Sequence, residues 1–202
     1  MSGNIDEKNF KKEKNIEMFE EIKQETINNG YKENLGVITV FQTNIYALLT
    51  AGPIAIIFTI AYINKWNNFP YTSLSISFVL YFFASIVIHE FLHGITWSLF
   101  CKNGFKSIKF DVMWKSLTPY CHCKEPLNFK AYITGGLMPL LILGILPSIA
   151  SLFMGNSLLM SLSLLNILCA GGDITIVLLA FKYKDAIFID HPTDCGFVAF
   201  TK

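Results

Sequence analysis

Arginine is absent from this chain: all 16 basic residues are lysine, set against 15 acidic residues for a formal net charge of +1. Without a guanidinium fork there is no bidentate reader of guanine, and with no broad basic stripe either, no nucleic-acid partner is expected. Cysteine is sparse and unpatterned. Cys101, Cys121, Cys123, Cys169 and Cys195 are odd in number and contain no C-x-x-C, which excludes a disulfide framework or a zinc ribbon and leaves reduced thiols as the expectation. Charge is scarce too, at 15% against 52% hydrophobic residues and a mean hydropathy of +0.45. That balance excludes an ordinary soluble domain of 202 residues and reads as a polytopic membrane protein. The N-terminus lacks the short apolar core and small-residue cleavage site of a signal peptide, so the first apolar span is expected to serve as its own insertion signal.

What is present is a set of long apolar runs. Four are long enough to cross a hydrocarbon core, at about Ile45–Ile63, Tyr71–Phe100, Ala131–Phe153 and Ser157–Phe181. Gly52-Pro53 is expected to kink the first, and the second is long enough to tilt or project into water. Lys102, Lys106, Lys109, Lys115, Lys124 and Lys130 fall between the second and third spans, and Lys182 and Lys184 follow the fourth, whereas the other two links hold only Lys65. By the excess of lysine on the cytoplasmic side, both termini and the middle loop are cytosolic.

Within that loop Ile108, Phe110, Val112 and Trp114 alternate with Lys109, Asp111, Met113 and Lys115, the period of a half-buried strand. A second extended stretch at Thr118–Cys123 would complete a small hairpin. Residues 1–34 read as a cytosolic tail, either solvated or forming a short amphipathic helix on Ile16, Phe19 and Ile22, and Leu35–Thr43 reads as a short extended lead-in. The expected fold class is an all-α membrane protein with about four transmembrane helices and a cytosolic β-hairpin between the second and third. Residues 35–202 form one membrane-embedded domain.

Inside the second run lies His89-Glu90-Phe91-Leu92-His93-Gly94. Four residues apart on a helix, His89 and His93 share a face and can aim both imidazoles at one ion, with Glu90 beside them. This H-E-x-x-H arrangement holds zinc through the two histidines while the glutamate takes a proton from water. The structural alternative is a hydrogen-bonded polar cluster that joins helices, but a charged glutamate in a bilayer costs at least ~2.5 kcal/mol unless it is compensated.

Catalytic zinc usually takes three protein ligands. Asp173, the one acidic residue of the fourth span, follows Ala170-Gly171-Gly172 and lies at a depth comparable with His89. Its glycines would allow close helix approach or local unwinding. The alternative is a packing surface with Asp173 paired to a lysine. Asn166 and His122 are further candidates for substrate contact or for supporting the ligands. Asn166 could equally be interhelical glue, and His122 could belong to a plain surface strand, or to a second metal site with Glu125. Asp190-His191-Pro192-Thr193-Asp194 could reach the site only by folding back, and a turn is the simpler account.

Together the H-E-x-x-H helix, the Pro119-Tyr120 and His122 stretch, Gly172-Asp173 and the Asp190-His191-Pro192 tail leading to Gly196-Phe197 resemble the zincin-peptidase family of bacterial membrane proteins, over roughly residues 40–200. More distantly the chain is similar to the site-2 proteases. The resemblance implies zinc on His89, His93 and Asp173, with Glu90 as general base. It departs from the site-2 pattern in that Asn166 is followed by Ile-Leu-Cys and Asp173 by Ile174.

The expected function is therefore a zinc metallopeptidase in the bacterial cell membrane, embedded in the lipid bilayer and acting on a membrane protein or peptide. The competing expectation is a non-catalytic membrane protein that uses the same site to bind metal or a partner. Neither the substrate's identity nor the oligomeric state is written in the sequence.

Overall fold

The computed structural model describes residues 3–71, 75–113, 118–192 and 194–202. Trp114 and Lys115 of the expected strand, and Thr193 of the expected turn, lie outside the described residues. In chain order the elements are α1 (Gly3–Asn28), β1 (Lys32–Ile38), α2 (Val40–Trp66), α3 (Ile76–Ser98), β2 (Ile108–Met113), β3 (Thr118–Cys123), β4 (Leu127–Asn128), α4 (Phe129–Pro139), α5 (Leu146–Met154), α6 (Ser157–Cys169), α7 (Gly171–Ala180), β5 (Ile187–Asp190) and β6 (Cys195–Thr201).

Among the described residues, three helical stretches have membrane-spanning length and hydropathy: Phe41–Trp66, Ile76–Ser98 and Phe129–Met154. The third joins α4 to α5 through a π-helical turn at Leu140–Ile145, directly after Pro139, which cannot donate to the helical ladder. The fourth apolar run is bent where α6 and α7 meet at 42°, the geometry of a broken span or a re-entrant loop. Leu48, Ile57, Ile76, Leu80, Phe83 and Val87 are exposed, an apolar surface suited to lipid and the make-up of a membrane protein. Side-chain caps set the helix starts. Thr39 and Gln42 form a reciprocal capping box on α2, and Ser75, Asn128 and Asn156 accept from backbone N–H groups at the starts of α3, α4 and α6. Pro53 lies inside a continuous α2.

The expected hairpin is present, and a second sheet corrects the all-α expectation. The hairpin forms between α3 and α4, with Ile108 opposite Cys123 and Met113 opposite Thr118. A second, four-stranded antiparallel sheet in the order β1-β6-β5-β4 joins residues from both ends of the chain. Lys32 pairs with Thr201 and Ile38 with Cys195. Successive residues of β5 and β6 point to opposite faces, and both faces are covered. Phe188, Phe197 and Ala199 pack on Trp97, Ala131 and Tyr132. Ile189, Val198 and Phe200 pack under Phe19 and Ile22 of α1. The N-terminal segment is thus a helix docked on a sheet rather than a free tail, and the lead-in at Leu35 is part of β1. Because β1, β4, β5 and β6 share one sheet, β1, the C-terminal strand and the hairpin that leads into β4 sit at the same end of the helical bundle.

Candidate metal centre

α3 carries His89, Glu90 and His93 on consecutive turns, and both histidines are buried. Asp173 arrives from the break in the fourth apolar run. At Gly171 a Cβ would lie 2.6 Å from the Ala47 backbone of α2, so only glycine allows the two helices to approach this closely. The Gly171 carbonyl accepts from Thr50 Oγ1 at 3.1 Å and from Thr175 Oγ1 at 2.8 Å. The new helix α7 then begins with Asp173 in its first turn, where the positive end of the helix dipole favours a carboxylate.

The three side chains converge. His89 Nε2 lies 3.0 Å from Asp173 Oδ2, His93 Nε2 lies 3.4 Å from Asp173 Oδ1, and the two Nε2 atoms are 3.2 Å apart. Ligand atoms at zinc bond lengths in a tetrahedron are about 3.3 Å from one another. One ligand atom from each residue falls within 4.8 Å of the others, a grouping that could hold a metal ion.

The surroundings favour the same use. His93 Nδ1 donates to the Gly135 carbonyl at 2.8 Å, which leaves Nε2 as the lone-pair nitrogen of the neutral ring. Trp97 stacks on His93 with centroids 5.2 Å apart and donates from Nε1 to the Tyr132 carbonyl at 3.1 Å. The indole occupies the space a side chain at Gly135 would need, with Nε1 only 2.1 Å from a Cβ built there. α4 therefore holds the His93 ring from one edge and, through Trp97, from one face.

Glu90 is half-buried and accepts a hydrogen bond from the Cys121 backbone N–H. It lines a cleft of about 320 Å³ together with His89, His93, Asp173, Asn44 of α2, β3 from Thr118 to His122, and the tail residues Asp190 and His191. The arrangement sets the Glu90 carboxyl, three convergent metal-type donors and a strand edge around one space.

His122 is brought to the cleft wall, 4.0 Å from Asp190 Oδ2 through Nδ1. Burial, with Lys109 and Lys124 nearby, pushes its pKa down to about 4, so the ring is neutral at physiological pH. Asn166 is placed elsewhere: it is buried in α6, its amide donates to the Leu162 carbonyl at 2.8 Å, and it is not among the residues of the cleft wall. Asp190 does fold back. It accepts from the Cys123 N–H at 2.8 Å and from the Tyr132 hydroxyl, and burial pushes its pKa up to about 6. Asn44 escaped sequence reasoning because a lone polar residue just after a helix cap carries no pattern; its position became visible only with the cleft.

No curated protein and no solved structure matches the chain. A family model described as "Putative zincin peptidase" matches residues 82–188, a little over half of the chain, and takes in α3, the hairpin and Asp173. The chain belongs to that zincin-peptidase family, and the matched residues include the convergent His89, His93 and Asp173.

Proposed function

We propose that this protein is a membrane-embedded zinc metallopeptidase that cleaves a peptide bond in a membrane or membrane-associated protein, the reaction class of the site-2 proteases. The observation that carries the reading is the convergence of His89 Nε2, His93 Nε2 and an Asp173 carboxylate oxygen beside Glu90, all on one cleft. The donor set suits zinc, with two imidazoles and one carboxylate that leave a further position open. His89, His93 and Asp173 would hold the ion. When bound, zinc supplies Lewis acidity to a carbonyl and brings the pKa of water towards ~7.

Glu90 acts as general base on the attacking water and returns the proton to the leaving amine. The Cys121 N–H keeps its carboxylate turned toward the cleft. The edge of β3 supports a way to hold the substrate. The Cys121 and Cys123 N–H groups point away from β2 toward Glu90 and Asp190, whereas Lys124 N–H turns the other way to Ser107 O at 2.9 Å. Pro119 has no N–H. A substrate strand added along this edge therefore donates its own N–H groups to the Pro119 and Cys121 carbonyls. The lysine excess flanking the hairpin and following α7 supports a cytosolic position for this end of the bundle, which carries β1 and the C-terminal strand.

The Glu90→Gln variant tests the proposal, because it removes the base and leaves the metal donors in place. The purified variant should keep its zinc and lose processing of membrane proteins in cells, by about a hundredfold or more. Equal processing by wild type and variant would overturn it.

A further inference from the structure

Beyond the cleft, the structure brings together two thiols that are 22 positions apart in sequence. Cys101 Sγ, just past the end of α3, lies 3.3 Å from Cys123 Sγ, at the end of β3. A disulfide needs about 2.05 Å between the sulfurs, so a shift of little more than an ångström would join them. The corner that holds them is already fixed. Glu125 Oε2 accepts from Lys102 N at 2.7 Å, its Oε1 accepts from Asn103 N at 3.1 Å and Asn103 Nδ2 at 2.8 Å, and Ser107 Oγ donates to the same carboxylate. Lys124 N–H adds a bond to Ser107 O at 2.9 Å. These contacts tie together the two segments that carry the thiols.

The two cysteines differ in access. Cys123 is buried and Cys101 is half-buried. Burial raises the pKa of both thiols, which slows their attack on an oxidant.

We infer that Cys101 and Cys123 form a reversible dithiol–disulfide site that staples the end of α3 to β3. The oxidant is a low-molecular-weight disulfide. Cys101 attacks one sulfur of that disulfide, forming a mixed disulfide and releasing one thiol. Cys123 then attacks Cys101 Sγ, forming the internal bond and releasing the second thiol. The two protons leave with the two released thiols, and the two electrons given up by the cysteines reduce the oxidant. The staple links the helix bearing His89, Glu90 and His93 to the strand whose Cys121 and Cys123 N–H groups bind Glu90 and Asp190. Oxidation thus fixes the strand edge relative to the metal-type donors, and a thiol reductant releases it.

The full-length protein, purified in detergent, would be treated with excess oxidised glutathione and then mapped by proteolysis and mass spectrometry without reduction. The expected result is a Cys101–Cys123 cross-link, with free thiols falling from five to three and returning to five with reductant. The Cys123→Ser variant should instead hold a stable glutathione adduct on Cys101, and Cys101→Ser should form no cross-link to Cys123. Either a glutathione adduct on wild-type Cys101 that never resolves, or a bond from Cys123 to Cys121, would overturn the assignment. So would five unreacted thiols. As a second reading, the thermal midpoint of the wild type should rise on oxidation, while that of Cys101→Ser stays unchanged.

Discussion

The centre depends on contacts one step removed from the donors themselves. His93 is held by the Gly135 carbonyl at its Nδ1 and by the Trp97 ring on its face, and Trp97 fits only because residue 135 has no side chain. Gly135→Ala should push the indole off His93 and weaken zinc affinity about 10–100-fold, the scale usual for losing a supporting contact to a ligand histidine. A competitive chelator titration measures it, and an affinity equal to that of wild type would contradict the account. His89, Glu90 and His93 were legible in the sequence because i, i+4 spacing on one helix is a local property that needs no tertiary information. Asp173 was legible because a single acid in an apolar run has few reasons to be there. Asn166, a lone amide in the same run, donates instead to a carbonyl of its own helix, because a polar residue's type does not tell which face it occupies.

Among the elements, the corner between α3 and the hairpin is set by Glu125. Burial acts to raise its pKa, but the hydrogen bonds from Ser107, the Lys102 and Asn103 backbones and the Asn103 side chain outweigh that and bring it down to about 2. A carboxyl whose folded pKa is depressed contributes stability that is present above its unfolded value near 4.5 and is lost as pH falls through about 2. Glu125→Gln should therefore be less stable than wild type at neutral pH and lose less on acidification across that window. Thermal midpoints recorded from pH 6 to pH 2 check this, and parallel curves would refute it. The hairpin was visible in the alternation from Ile108. The four-stranded sheet was not, for a physical reason: β5 and β6 are buried on both faces, so Ile187–Asp190 and Cys195–Thr201 read as short continuous apolar runs with no period. β1, the outer partner of β6, lies more than 150 residues away from it in sequence. The spacing of Ile16, Phe19 and Ile22 announced an apolar stripe on α1, while the surface it covers, Ile189, Val198 and Phe200, emerges only when the chain ends meet.

For the whole molecule, apolar helices carry the donors and the sheet closes the end of the bundle above them. The cleft lies at that end, between the start of α2, β3 and the folded-back tail. If this end faces the cytosol, a membrane-impermeant thiol reagent should label Cys121 only after cells are permeabilised; labelling from outside intact cells would invert the topology. Every part of the proposal rests on His89, His93 and Asp173 acting as one metal site, and Asp173 is the member that comes from a different helix, α7. The most direct test is the zinc-to-protein ratio of purified wild type, Glu90→Gln and Asp173→Ala, measured by elemental mass spectrometry after dialysis against a weak chelator. The account predicts about one zinc per chain in the first two and a drop of about tenfold or more in Asp173→Ala; an Asp173→Ala ratio equal to that of wild type would contradict it.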